Sequence, residues 1–244
     1  MSRKKVVGDV ALLALAVVAV VAAAAVMRQR RSAELAPVAL QSFARIPVSS
    51  ASDLAGSGNI LGSATAPTKL VEFSDFQCPF CRRFQSTMEQ FQSRHPKDVA
   101  VVYRQFPLRI HAFARDAAVA SECAATEKEF PAFANLLFAK QDSLGLLSWA
   151  TFAVRAGIQD TARFHECLTS ARVAAQVDTD IAVGTRLGIT GTPAIVIGKE
   201  MIIGAVPLDT LETLVAQLQH GASSAPNGVE SRTAPGEAPA PFSH

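Results

Sequence analysis

The feature that most constrains this chain is a cysteine pair, Cys78 and Cys81, set where a strand pattern gives way to a helical one. Lys69-Leu-Val-Glu-Phe-Ser74 is short and apolar enough for a buried strand, and from Pro79 to Arg94 the residues Phe80, Phe84, Met88 and Phe91 recur at helical spacing. The β-branched run Val99 to Arg104 follows. A helix of this length between two strands suits a parallel crossover. The spacing therefore predicts a βαβ unit with both cysteines in the first turn of its helix.

Strand signals then stop. From His111 to Leu187 helices are expected over Ala112–Ala125, Pro131–Lys140, Ser148–Ala156, Thr161–Ser170 and Ala171–Leu187. Strands return at Ala194–Ile197 and Met201–Ile203, on either side of a hairpin at Gly198-Lys199, and an amphipathic helix, Leu208–Gln219, closes the pattern. The expected architecture is an α/β domain over residues 67–220: βαβ, a helical insertion over 111–187, then ββα.

Val10 to Met27 is an uncharged apolar run, preceded by Arg3, Lys4 and Lys5 and followed by Arg28, Arg30 and Arg31. It is long enough to cross a bilayer, so residues 1–31 read as a short cytoplasmic stub and a transmembrane anchor. A cleaved signal peptide is the alternative, because Ala22 to Ala25 supply small residues for a peptidase. Residues 32–66, rich in Ser, Ala, Pro and Gly, read as a linker with a reach on the order of 30 Å. Residues 221–244 read as a disordered tail. A formal net charge of +2, with basic residues gathered around the apolar run, gives no footprint for nucleic acid.

At the mouth of a helix, the free backbone N–H groups and the positive end of the dipole face the sulfur of Cys78 and favour its thiolate. A low thiol pKa makes a nucleophile and a good leaving group, as disulfide exchange requires. Cys81 lies one turn further on the same face, and Pro79 fits a first turn whose N–H groups lack partners. A Cys-x-x-Cys is also half of many zinc sites, but no second close pair follows; Cys123 and Cys167 are far apart. His95, His111 and His165 lack ligand spacing and read as surface residues. Neither metal nor cofactor is expected.

Lys69-Leu-Val-Glu-Phe-Ser-Asp-Phe-Gln-Cys-Pro-Phe-Cys81 resembles the active-site strand and helix of DsbA-like proteins, the extracytoplasmic branch of the thioredoxin superfamily. Gly188-Ile-Thr-Gly-Thr-Pro-Ala194 resembles that family's cis-proline loop, and the helical block between them is similar to its inserted domain. The resemblance, over about Leu61 to Gln219, implies a thioredoxin fold. It makes Cys78 the attacking cysteine, Cys81 the resolving one, Pro79 and Phe80 the redox dipeptide, and Thr192-Pro193 a cis bond beside them. Glu72 then stands where similar proteins carry a buried acid that exchanges protons with the second cysteine; burial in an apolar strand would raise its pKa toward that task. Phe80 stands where the best-known members carry His, and without an imidazole a less extreme thiol pKa and a milder oxidant are expected. Cys123 and Cys167 fall on two expected helices; the resemblance implies a second, structural disulfide, worth roughly 4 kcal/mol in the chain-entropy model, with two buried free thiols as the alternative.

The implied activity is thiol:disulfide exchange outside the cytoplasm. As an oxidase the protein would oxidise cysteines of exported polypeptides and be recycled by a membrane redox partner. The same site kept reduced would isomerise or reduce disulfides, a reading to which Thr192 adds weight. An apolar surface near Phe76 and Phe80 could instead serve a chaperone-like module.

Overall fold

The computed structural model describes residues 18–27, 43–56 and 58–223. In chain order its elements are α1 (residues 18–27), β1 (Arg45–Pro47), α2 (Ala51–Leu54), β2 (Asn59–Leu61), β3 (Thr68–Ser74), α3 (Pro79–Arg94), β4 (Val99–Gln105), α4 (Ala114–Thr126), α5 (Phe130–Ala139), a 3-10 turn (Gln141–Ser143), α6 (Trp149–Arg155), α7 (Thr161–Cys167), α8 (Ala171–Arg186), β5 (Ala194–Ile197), β6 (Glu200–Ile203) and α9 (Leu208–Ser223). The strands form one mixed sheet in the order β1-β6-β5-β3-β4-β2.

β3 and β4 run parallel, linked by α3 as the sequence predicts, and β5 pairs antiparallel with β3 on its other side. Side chains alternate across each strand, so each sheet face collects its own core. Leu70, Val101, Ile195 and Ile202 pack against Phe84, Met88 and Phe91 of α3 and Leu211 and Val215 of α9. On the opposite face, Val71, Phe73, Val102, Val196 and Met201 pack with Phe106 and Ile189. A third core fills the insertion around Phe133, Leu137, Phe152 and Phe164, and reaches Phe76, Cys78, Cys81 and Tyr103. Each such side chain, fully buried, contributes roughly 1.5–3 kcal/mol.

The insertion is fastened to the sheet by a buried ion pair that the sequence does not announce. Arg104 of β4 donates through Nε to Asp180 Oδ1 of α8 at 2.9 Å and through Nη1 to the Leu54 carbonyl at 2.6 Å. Asp180 Oδ2 also accepts the Gln105 N–H at 2.9 Å. Both side chains are almost wholly buried, so each charge depends on the other. Within the insertion Cys123 and Cys167 are disulfide-bonded, 44 residues apart in sequence, with Cα atoms 5.7 Å apart.

Two expectations need correction. Residues 45–61 are not tether: β1 and β2 cap opposite edges of the sheet, with Ile46 opposite Met201 and Ile60 opposite Val102. Three-residue strands are too short to show an alternation, and their partners lie far along the chain. At the other end, α9 continues to Ser223, past its expected close at Gln219, because Gly221, Ala222 and Ser223 extend a helix already nucleated. In the apolar run, residues 18–27 are helical and exposed, while 10–17 lie outside the described residues, as do the stub, residues 28–42 and the tail from 224. No helix among the described residues is long and apolar enough to cross a membrane.

Candidate active site

β3 ends at Ser74, and Asp75-Phe76-Gln77 carry the chain to Cys78, the N-cap of α3, which holds an extended conformation with Pro79 in the first turn. This connection is clamped from several directions. Asp75, buried, accepts the Gln77 N–H at 2.7 Å on Oδ1 and the Leu108 N–H at 2.8 Å on Oδ2, which also lies 2.7 Å from His111 Nδ1. Gln141, from the 3-10 turn, donates through Nε2 to the Phe76 and Cys78 carbonyls at 2.7 and 3.0 Å. The insertion thus holds the backbone on which the first cysteine sits. Sequence reading missed all three holding residues: Asp75 followed by a turn was the available signal, whereas Gln141 falls in the connection between two expected helices and His111 read as surface.

Cys78 and Cys81 are unbridged and buried. The Thr192–Pro193 peptide is cis, and the Cys78 thiol donates to the Thr192 carbonyl at 3.4 Å. The two thiols are driven in opposite directions. Cys78 is lowered from 9.0 to about 5, first by a hydrogen bond from the Cys81 thiol, then by the Thr192 side chain and the N–H groups of Cys81 and Phe80, against the cost of burial. Cys81 is held well above 9.0 by burial, then by its bond to Cys78 and that sulfur's charge. The helix terminus, which the sequence names as favouring the thiolate, contributes through the Cys81 and Phe80 N–H groups but comes after the neighbouring thiol. One proton shared between two sulfurs leaves the outer as a nucleophile and the inner protonated.

Glu72 lies behind the pair on β3, fully buried, its carboxyl raised from 4.5 to about 7 by desolvation, with Ser74 partly offsetting. Phe80 projects outward, 53% exposed, with the Arg83 guanidinium 4.5 Å from its ring centroid. Cys78, Cys81 and the cis Thr192–Pro193 loop meet where α3 starts, and Glu72 is linked to them through Ser74, whose side chain acts on both Glu72 and Cys81. Cys123 and Cys167 lie in the helical insertion.

A strand-to-helix Cys-x-x-Cys facing a cis-proline loop invites comparison with known proteins. The family profile described as Thioredoxin matches residues 55–217. The chain belongs to the thioredoxin family. It shares that family's fold, with the helical insertion between the two halves of the sheet. Among solved structures it is similar to a periplasmic thioredoxin-like protein of Salmonella enterica serovar Typhimurium, with 27% identity and a TM-score of 0.56 over 66% of this chain and 88% of that one. Wolbachia pipientis alpha-DsbA1 shares the fold, at 20% identity and a TM-score of 0.61 over 72% of this chain and 98% of that one. In sequence, the chain is 34% identical over 140 residues to the Na(+)/H(+) antiporter NhaA 1 of Mycolicibacterium gilvum, covering 56% of this chain. It spans 22% of that relative's length, so the name describes a protein most of which has no counterpart here.

Proposed function

We propose that this thioredoxin-family chain is a thiol:disulfide oxidoreductase of the DsbA-like kind and works as an oxidase of exported polypeptides, with Cys78 as the exchanging sulfur and Cys81 as its internal partner. The observation that carries the reading is the split between the two thiols. A Cys78 thiolate stable from about pH 5 stabilises the reduced form, which makes the disulfide form an oxidant. The value lies above the acid extreme of about 3.5 known for DsbA, consistent with Phe80 in place of an imidazole.

In the reaction, a client thiolate attacks Cys78 of the Cys78–Cys81 disulfide. The bond between the two cysteines breaks, and its electron pair leaves on Cys81. Burial disfavours a Cys81 thiolate, so the departing sulfur takes a proton, which Glu72, titrating near 7, supplies. A second client thiolate then attacks the client sulfur of the mixed disulfide, and Cys78 leaves as the favoured thiolate. The client gains a disulfide and the enzyme holds two electrons, which a membrane redox partner removes.

Client capture is supported by an exposed apolar set around this mouth. Ile110 and Leu146 are 84% and 82% exposed, and Phe80 and Phe113 are exposed as well. Phe113 is tied to the active-site turn by its N–H bond to Gln77 Oε1, and its ring lies over Gly145, where any side chain would collide with it. An unfolded chain with exposed cysteines carries apolar residues that fit such a surface. The apolar run at Val10–Met27, the second disulfide, the periplasmic neighbour and a relative named for antiport all support a catalytic domain held outside the cytoplasm at a membrane.

The deciding measurement is the equilibrium reduction potential of Cys78–Cys81 against glutathione. An oxidase lies well above the thioredoxin value of about −270 mV, whereas a value at or below it assigns the protein to reduction or isomerisation.

A further inference from the structure

Behind Cys81 the structure gathers buried polar groups that the exchange chemistry above does not fully use. Glu72 Oε1, Ser74 Oγ, Tyr103 Oη and Thr192 Oγ1 are all buried without a partner at full hydrogen-bond geometry, their residues at most 7% exposed, and the Ser74 side chain stands close enough to act on Glu72, Tyr103 and Cys81 alike. Buried polar atoms are nearly always paired, so several unpaired ones around one reacting sulfur point to a task.

Register specifies the neighbours of Glu72. On the sheet face covered by α3, it is flanked by Ile195 of β5 on one side and Tyr103 of β4 on the other. Across the sheet these neighbours offer one polar group, the Tyr103 hydroxyl, and along its own strand Ser74 offers a second. The Tyr103 ring is held by stacking on Phe76 at 5.3 Å and by an edge contact with Phe130 at 5.3 Å, and the Ser74 side chain acts on its hydroxyl, which places the phenol end in the polar cluster. The titratable groups acting on Tyr103 are Glu72, Cys81 and Asp75, and all disfavour the phenolate, as burial does first. Tyr103 therefore remains a donor throughout.

We infer that Tyr103 is a positioning residue whose hydroxyl supplies a hydrogen bond to the Glu72 carboxylate when Glu72 is charged, holding that carboxylate ready to take the proton of Cys81. The inference rests on the proton-exchange role proposed for Glu72. The step it governs is resolution of a mixed disulfide on Cys78. Cys81 gives its proton to the Glu72 carboxylate and attacks Cys78, the Cys78–Cys81 bond forms, and the bond from Cys78 to the outgoing sulfur breaks, its electron pair leaving as a thiolate. Without the phenol the carboxylate is harder to form, and resolution is delayed to higher pH.

The test follows resolution of a Cys78–glutathione mixed disulfide against pH in wild type, Tyr103→Phe, Glu72→Gln and the double variant. Tyr103→Phe should slow resolution near pH 7 by about tenfold, the worth of one hydrogen bond to a charged group, and move the profile to higher pH. In the Glu72→Gln background it should add less than twofold. If Glu72→Gln leaves the profile unchanged, the Glu72 role itself fails. If Glu72→Gln slows resolution but Tyr103→Phe does not, the Tyr103 inference fails alone. Equal slowing by Tyr103→Phe in both backgrounds also overturns it, since the tyrosine would then act independently of Glu72. Because the chain has a single tyrosine, replacing it with 3-fluorotyrosine gives one fluorine resonance that reports this site even if Tyr103→Phe does not fold. That resonance should titrate near pH 7 and stop doing so in Glu72→Gln; a pH-independent signal in the wild-type background overturns the coupling.

Discussion

The thiol of Cys78 donates to the carbonyl oxygen of Thr192 at 3.4 Å, joining the start of α3 to the loop before β5 across the reactive sulfur. That bond belongs to the protonated thiol, since a thiolate cannot donate to a carbonyl. On ionisation the Thr192 hydroxyl, buried, faces the sulfur after the Cys81 thiol and beside the N–H groups of Cys81 and Phe80. Thr192→Val keeps the side-chain shape and removes that hydroxyl. The Cys78 pKa, read from thiolate absorbance at 240 nm, should rise from about 5 toward the ordinary thiol range, and the disulfide should become less oxidising. An unchanged titration would exclude the hydroxyl as a contributor.

Glu72 ties stability to pH. Its folded value of about 7 exceeds the ordinary 4.5, so below pH 4.5 both folded and unfolded chains hold the proton. Between 4.5 and 7 the unfolded chain releases it while the folded chain keeps it, and stability falls as pH rises through that window. Glu72→Gln removes this term. In urea titrations the variant should gain on the wild type by about 3 kcal/mol between pH 4 and pH 8. A difference independent of pH would show that the carboxyl is not desolvated as the structure has it. Glu122, raised to about 7 chiefly by its own burial, contributes a similar slope to both proteins and cancels in the comparison.

Arg104→Leu should cost about 3–5 kcal/mol, because it leaves the Asp180 carboxylate buried without its cation. The double change Arg104→Leu with Asp180→Leu should recover much of that loss. Denaturant midpoints for the two variants measure this directly, and equal losses would mean that the pair acts through packing alone.

Replacing Cys123 and Cys167 together by Ala should lower stability by about 2–4 kcal/mol through release of the loop they close. Exchange by Cys78 and Cys81 should persist below the lowered melting temperature, since the second disulfide lies within the insertion. Loss of exchange in protein still folded by circular dichroism would instead show that the insertion core sets the geometry of the reactive pair.

The βαβ unit, the placement of Cys78 at a helix mouth, the helical insertion and the hairpin of β5 and β6 were legible because each rests on a pattern within one stretch of chain. A short apolar, β-branched run marks a buried strand, period 3.6 a helix, and Pro79 a first turn. The cis-proline loop was legible only by resemblance, since Gly191-Thr-Pro193 also suits an ordinary turn. Short β1 and β2 were not legible at all: three residues carry no period, and their pairing partners are strands far along the chain.

The sequence by itself determined that this chain carries a redox cysteine pair on a strand-to-helix turn of an α/β fold. Tertiary structure alone decided what surrounds that pair. Register set Tyr103 and Ile195 on either side of Glu72, and chain closure brought Gln141, His111 and Thr192 to the active-site turn. The balance between the two thiols depends on those arrivals, because burial and hydrogen bonding act through space, whereas periodicity and turn chemistry act along the chain.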